Sequence, residues 1–363
     1  MNDKDSRLEI GYVPYSENLE HPADRRRLAA WAKARNFTLN LVDPLQSDVL
    51  VLSNAANFAK WIGKYKGKVV LDLVDGYWGE NPSFLKDFAR NCLRSYKGTS
   101  SLHWIRYTRH LQYAIEHADS IVVASNEQLQ SIRQFNKNIS VIPDIHLELE
   151  GELGENHNTS NKIGHEFLED FSIMWEGFGY TLKHLEIISD ELDEFLCSTG
   201  ANLYLVTNEV FPRWGGFLGR IHTQNLVNSW FKKSYKQVQI IPWTIENLVK
   251  ISKRVRVAVI PIDTTDKFAS LKSENKLLSM WRLGLICFFS PIPSYSRVAI
   301  NAGVTELSVR DEDWSKVFHS ISNSEFDFEV MRLRTSEFLK FEYSHANLHA
   351  RWDQVLSEVK NHG

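Results

Sequence analysis

The chain has 363 residues, a length that suits two ordinary domains better than one. With 43% hydrophobic and 24% charged residues, its composition excludes a disordered, fibrous or membrane-spanning class. A formal net charge of -3 argues against binding by broad neutralisation of a phosphate backbone, so no nucleic-acid partner is expected.

Short apolar runs alternate with segments of helical period, the pattern of an α/β protein whose parallel sheets are covered by helices. In the first half, strands are expected over 8–13, 38–42, 49–53, 68–74, 120–124 and 139–142. A helix over 22–35 opens with Pro22 and carries Leu28, Trp31 and Ala32 on one stripe. Arg25, Arg26 and Arg27 read as its solvated face. Further helices are expected over 83–96 and 102–117. Asp75, in Asp72-Leu73-Val74-Asp75-Gly76-Tyr77-Trp78, falls at the C-terminal end of a parallel strand, the edge where such sheets bind ligands. It is a candidate to orient or deprotonate a hydroxyl; capping the turn at Gly76 is the competing role.

From 146 to 170 the apolar pattern collapses into Glu, Gly, Asn, His and Thr, which marks a linker. Strands resume over 171–175, 202–207, 238–242, 255–262, 285–290 and 305–309, and 325–360 reads as terminal amphipathic helices with Phe338, Phe341, Leu348, Trp352 and Leu356 buried. Cys92, Cys197 and Cys287 are odd in number, far apart and in apolar settings, which suits buried thiols in a reducing compartment. The N-terminus shows no signal-peptide core, and no run approaches about 18 uninterrupted apolar residues. A cytoplasmic location is expected, and the Asn-X-Ser/Thr triplets at Asn138 and Asn158 then carry no meaning.

The most informative stretch is Lys272-Ser273-Glu274-Asn275-Lys276, which follows a strand and opens a helix closed by Gly284. Unpaired N–H groups and the helix dipole favour an anion there, and Lys272 and Lys276 add full charges that fit a diphosphate. Without an anion those lysines are poorly placed. A plain cap at Ser273 with a solvated first turn is the alternative. Trp175-Glu176-Gly177-Phe178-Gly179-Tyr180 ends a strand on two glycines, which let a ligand approach the backbone or simply make a tight turn. Trp243 follows the strand over 238–242 and either stacks on a base or packs in a core. Asp311-Glu312-Asp313 has the spacing of a metal site but its place at a helix start favours capping, and the His345 and His349 pair lacks further ligands. No G-x-G-x-x-G is present to suggest a dinucleotide oxidoreductase.

The segment from Ile260 to Pro293 resembles the donor site of GT-B glycosyltransferases, especially the family-four-like bacterial polysaccharide enzymes. Several of these carry a similar KSxNK or KSxNR run, then a helix, a Gly-Leu turn and a strand ending in Ser-Pro-x-Pro. Here that ending is Ser290-Pro291-Ile292-Pro293. Ala118 to Glu127 and Val141-Ile142-Pro143-Asp144 are similar to the last part of the family's acceptor domain.

The resemblance implies an α/β protein of GT-B architecture, with two Rossmann-like domains whose parallel sheets face each other across a cleft. The acceptor domain would span 1–145, the linker 146–170 and the nucleotide-sugar domain 171–324, with helices over 325–363 crossing back to the first domain. Expected donor contacts are Gly177, Gly179, Trp243, Lys272, Ser273, Glu274, Asn275 and Lys276. Expected acceptor contacts are Tyr12, Ser16, Arg25 and Tyr77, with Asp75 and Lys276 as the catalytic residues. Many members have glutamates where this chain has Ser279 and Leu271, which leaves Glu274 as the substitute for the ribose contact.

The implied activity is transfer of a sugar from a nucleoside diphosphate sugar to a saccharide or glycolipid hydroxyl in bacterial surface polysaccharide synthesis. Neither metal nor cofactor is expected, and peripheral association with the inner face of the membrane is the expected extension. A catalytically silent GT-B scaffold subunit and a nucleotide-sugar epimerase of the same fold are the rival readings.

Overall fold

The computed structural model describes residues 8–79, 82–149, 172–213, 219–266 and 268–361. The expected linker lies outside the described residues from 150 onward, as does Asn158. The chain forms two compact units, the first made of Met1–Ile145, Ser270–Asn275 and Tyr343–Gly363, the second of His146–Ala269 and Lys276–Glu342. The Lys272 to Lys276 run is thus divided: its first four residues pack in the first unit and Lys276 in the second.

In the first unit the order is β1 (Ile10–Val13), α1 (Pro22–Arg25), α2 (Leu28–Ala34), β2 (Val49–Ser53), α3 (Phe58–Ile62), β3 (Lys68–Leu73), α4 (Phe84–Tyr96), α5 (Tyr107–His117), β4 (Ser120–Val123), α6 (Asn126–Ile132) and β5 (Ile139–Val141). The five strands form one parallel sheet in the order β1-β2-β3-β4-β5. Val49, Leu50, Val51 and Leu52 are buried on both faces, as an apolar run in a helix-covered sheet should be.

The expected strand over 38–42 contributes a single parallel bridge from Asn40 to Gly11. It lies on the other side of β1 from β2, so the chain reverses its direction across the sheet at β1. The strand goes no further because Asn40 hydrogen-bonds Asp43 in both directions, at 2.8 and 3.0 Å, and closes a local turn in place of the ladder.

The expected helix over 22–35 is broken, and the break corrects the reading of Arg27 as solvated. Arg27 takes φ -128 and ψ -121, outside helical space, between α1 and α2. Its guanidinium is fully buried, donating Nε to Asp72 at 2.6 Å and Nη1 to the Ile142 carbonyl at 2.7 Å, with Asp144 at 3.3 Å. A buried cation needs such partners, and reaching them takes precedence over helix continuity.

The second unit runs β6 (Ser172–Glu176), α7 (Ser189–Thr199), β7 (Asn202–Thr207), β8 (Val210–Pro212), β9 (Arg220–His222), α8 (Thr223–Trp230), β10 (Val238–Pro242), α9 (Ile245–Ser252), β11 (Val257–Ile260), α10 (Asn275–Arg282), β12 (Ile286–Phe289), α11 (Pro293–Ala302), α12 (Trp314–Ser322) and α13 (Phe328–Glu342). Asn275, which opens α10, is grouped with the first unit. The main sheet is parallel in the order β10-β7-β6-β11-β12, while β8 and β9 form a small antiparallel hairpin. The expected strand over 305–309 is instead a short 3-10 turn, Thr305–Leu307, followed by one bridge from Ser308 to Phe289.

Finally α14 (His345–Asn361) returns to the first unit. Leu348, Trp352 and Leu356 are buried as expected, and Asp353 accepts from Trp31 Nε1 at 2.7 Å and Arg35 Nη2 at 2.5 Å. Phe341 departs from the expected stripe, being largely exposed. Cys197 is exposed and Cys92 half-buried, so only Cys287 is the buried thiol expected of all three; each is free. Among the described residues no helix is long and apolar enough to cross a membrane.

Candidate functional site

In the second unit, chain direction across the sheet reverses between β6 and β11, and ligands of α/β sheets bind beyond the C-terminal strand ends at such a point. β6 ends there on Glu176. Gly177 follows, and a larger residue would displace its neighbours: a Cβ at Gly177 would lie 2.6 Å from Thr181 Oγ1, 2.8 Å from the Trp175 ring and 2.9 Å from Lys276 Nζ. Lys276, in the first turn of α10, donates to the Glu176 carbonyl at 2.7 Å and stands 3.7 Å from its carboxylate. Its ammonium also lies 5.4 Å from the Trp175 ring centroid.

Trp243, immediately after β10, donates Nε1–H to Glu176 Oε1 at 2.7 Å. Its half-exposed ring lies 6.0 Å from that of Phe178. Gly179 donates its backbone N–H to Asn208 Oδ1 at 3.0 Å. The structure therefore brings four expected donor contacts, Gly177, Gly179, Trp243 and Lys276, into one small region.

The residue that joins them, Glu176, is absent from the sequence-based site. It also corrects the argument that Lys276 is electrostatically misplaced until an anion arrives, because the Glu176 carboxylate already balances it. The available signal was a carboxylate at the end of a parallel strand, directly before Gly-x-Gly.

The other expected donor contacts lie in the first unit. Glu274 is buried and accepts from Tyr343 Oη at 2.9 Å, which directs the expected ribose contact toward the base of α14. Asn275 Oδ1 accepts from the Asp144 backbone at 3.1 Å, and Ser273 is half-buried. Gln128 donates to the carbonyls of Val74 and Leu271, at 3.0 and 2.9 Å. This fastens the 270–275 segment to the end of β3. Leu271 packs so closely on Gly76 that a Cβ there would meet it at 2.6 Å. Ser279, at the other glutamate offset, has its hydroxyl 3.3 Å from the ring nitrogens of buried His146.

Asp75 follows β3 in the same unit. Its outer surface is open to solvent, but crowding around the carboxyl raises its pKa above the usual range. A hydrogen bond with Tyr77 and the charges of Lys272 and Arg27 pull the other way, while Asp144 adds to the rise. Lys272 is therefore within electrostatic reach of Asp75. The Tyr15 hydroxyl is held well above its ordinary pKa by burial and then by the Asp75 charge, so it stays protonated at neutral pH. Asp75, Tyr77, Tyr15 and Lys272 form a second polar group at the C-terminal edge of the first sheet.

Of the other expected acceptor contacts, Tyr12 is fully buried and donates to Asp24 at 2.7 Å. Ser16 donates to Asp24 through both N and Oγ, at 2.9 and 3.1 Å. These two shape the loop after β1. Arg25 donates to the Glu20 carbonyl at 2.7 Å.

No family model and no curated protein matches the chain by sequence. Similarity is found among solved structures. WaaG, described as a glycosyltransferase involved in lipopolysaccharide biosynthesis, superposes with a TM-score of 0.54 at 9% identity over 96% of this chain and 98% of its own. Anabaena HepE, solved with UDP and glucose, gives 0.55 at 8% identity over 91% of this chain and 82% of its own. A UDP complex of S. aureus TarM gives 0.55 at 10% identity over 85% of this chain and 55% of its own, so the chain spans about half the length of TarM. Two five-stranded parallel sheets, a terminal helix returned to the first unit and these superpositions together give the chain the GT-B fold seen in glycosyltransferases.

Proposed function

We propose that the chain is a glycosyltransferase that moves a sugar from a nucleoside diphosphate sugar to a hydroxyl of a saccharide or glycolipid, in bacterial surface polysaccharide synthesis. The observation that carries this reading is Lys276, held in the first turn of α10 against the backbone of the Gly177 loop and sharing Glu176 with Trp243. A cation at a helix start is suited to a leaving diphosphate, where negative charge grows in the transition state. Glu176 keeps that cation in place in the free protein and orients the Trp243 ring through its indole N–H. The fold in common with structures that contain UDP supports the same reading.

On this reading the chemistry needs no divalent metal, because Lys276 and the helix start supply the positive field. Among UDP, GDP and CMP and their sugars, at least one nucleoside diphosphate should raise the melting temperature, with the same rise in EDTA. A screen with no shift at millimolar ligand would remove the reading, and a shift that requires manganese would remove its metal-free part.

Asp75 is assigned to the acceptor hydroxyl, with Tyr77 and Lys272 as neighbours that set its charge. Because its pKa is raised, the basic form builds up as pH climbs through that raised value. Turnover with acceptor should rise over the same window. Asp75→Asn should lose that rise and most acceptor-dependent turnover while nucleotide affinity stays unchanged. An unaltered pH profile would return Asp75 to the role of a turn cap.

A further inference from the structure

α13 carries apolar residues on two sides. Met331, Thr335 and Leu339 are buried and hold the helix to its unit. A surface helix is normally polar on the side away from its core. On that outer side Val330, Leu333 and Phe341 are exposed, Leu333 at 53% and Phe341 at 75%. An open groove of about 520 Å³ runs between α13 and Asn301 and Ala302 at the end of α11. On α13 its lining includes Arg334, Glu337, Phe338 and Phe341. That spacing of i, i+3, i+4 and i+7 is the diamond that receives a side chain from a facing helix.

The order of residues along the outer side indicates which helix faces it. Val330, Arg334, Glu337 and Phe341 follow one another at steps of four, three and four. At about 100° per residue they fall within about 60° of arc, which is the seam of two helices in contact. The seam has an apolar residue at each end and one charge of each sign in the middle.

An antiparallel copy of the same helix, related by a two-fold axis beside Thr335 and Ser336, sets Val330 against Phe341 and Arg334 against Glu337, each pair twice. Leu333 then faces the diamond of the second copy. A parallel copy would set arginine on arginine and glutamate on glutamate, so the seam complements itself in one orientation only. Within the single chain Arg334 is turned toward α11, donating to the Gly303 carbonyl at 2.8 Å and standing 3.7 Å from Glu306. Arg334 and Glu337 are both exposed at the seam.

We propose that the outer side of α13 is the interface between two copies of the chain, packed antiparallel about a two-fold axis. This assignment stands independently of the proposed glycosyl transfer.

The test is sedimentation equilibrium of the full chain from about 1 to 100 μM, the range suited to an interface centred on one helix pair. A monomer–dimer equilibrium is expected, weakened by added salt. Glu337→Arg sets arginines against each other at both symmetric positions and should weaken the dimer by roughly 30-fold or more. Arg334→Glu should do the same through facing glutamates. Mixed in equal amounts, these two variants should pair with each other at roughly parental affinity, because every contact at the centre of the mixed dimer again joins opposite charges. Val330→Ser with Phe341→Ser should weaken the dimer by roughly 100-fold, from the lost apolar burial.

All four side chains are exposed, so at concentrations where the parent is monomeric the variants should melt within a few degrees of it. Glu337→Arg tests the seam on its own should another variant fail to fold. A chain that stays monomeric throughout would overturn the proposal and leave the seam to a different protein. Parent-like dimerisation by Glu337→Arg, or charge variants that pair no better mixed than apart, would overturn it by placing the contact elsewhere.

Discussion

Lys276→Ala is expected to lose about 30- to 1000-fold in turnover, because a charge-assisted contact that strengthens as a leaving diphosphate gains charge is worth about 2–4 kcal/mol. The free protein should change much less. It loses the hydrogen bond to the Glu176 carbonyl and the neighbouring ion pair, a partly exposed set worth about 1 kcal/mol. That corresponds to a fall of about 2–4 °C in Tm for a unit of this size. The Glu176 carboxylate stays near the first turn of α10, where the helix dipole favours it, so its loss of a partner is cushioned. Nucleoside diphosphate affinity should fall while affinity for the bare nucleoside holds. A variant with full turnover would end the assignment of Lys276 to the diphosphate. So would one whose activity loss is matched by unfolding at the assay temperature.

The sequence identified those elements whose local signal and packing agree. The expected strands over 49–53, 202–207 and 238–242 coincide with β2, β7 and β10. Each is a short, mainly apolar run bounded by turn residues, and the adjoining strands give its ladder a partner along its length. The segments over 38–42 and 305–309 lie at sheet edges, as β10 does, but each keeps a single bridge because local turns take its backbone, the Asn40–Asp43 hydrogen bonds in one and the 3-10 turn Thr305–Leu307 in the other. Val42 is 99% exposed there. Periodicity identifies an apolar face without saying which way it points, and α4 shows the consequence: Asp87 and Asn91 are its inward residues because hydrogen-bond partners await them on α5 and its loop.

The candidate site was legible where a residue type implies a ligand chemistry, as with Lys276 at a helix start, the glycines at 177 and 179 and the tryptophan at 243. It was not legible where a residue's partner is distant in sequence. Glu176 lies 67 residues from Trp243 and 100 from Lys276, so no local pattern joins them. Glu274 has a suitable spacing for a ribose contact, yet a tyrosine 69 residues on receives its carboxylate. The division of the Lys272 to Lys276 run between two packing units was equally hidden, because it depends on Leu271 and Gln128 meeting at the end of β3.

Arg27 shows the same dependence on distant partners, and replacing it should give the largest loss of stability. Arg27→Met keeps much of the side-chain volume but leaves Asp72 and Asp144 without their shared counter-charge at buried positions. Removing one partner of such a buried group costs about 3–5 kcal/mol, which lowers Tm by roughly 10 °C in a unit of this size.

The loss should depend on pH in a defined direction. Burial already pushes the Asp72 carboxyl up to about 6, against the opposing pull of Arg27. Without that pull it rises further, so the folded variant holds a proton that the unfolded chain has released. Stability of the variant therefore falls as pH climbs from the unfolded carboxylate range through the raised folded value. Its deficit relative to the parent should be smaller at pH near 5 than at pH near 8. Chemical denaturation of both proteins at the two pH values measures this. An equal deficit at both would mean that Arg27 acts by packing alone, and a deficit larger in acid would reverse the electrostatic argument.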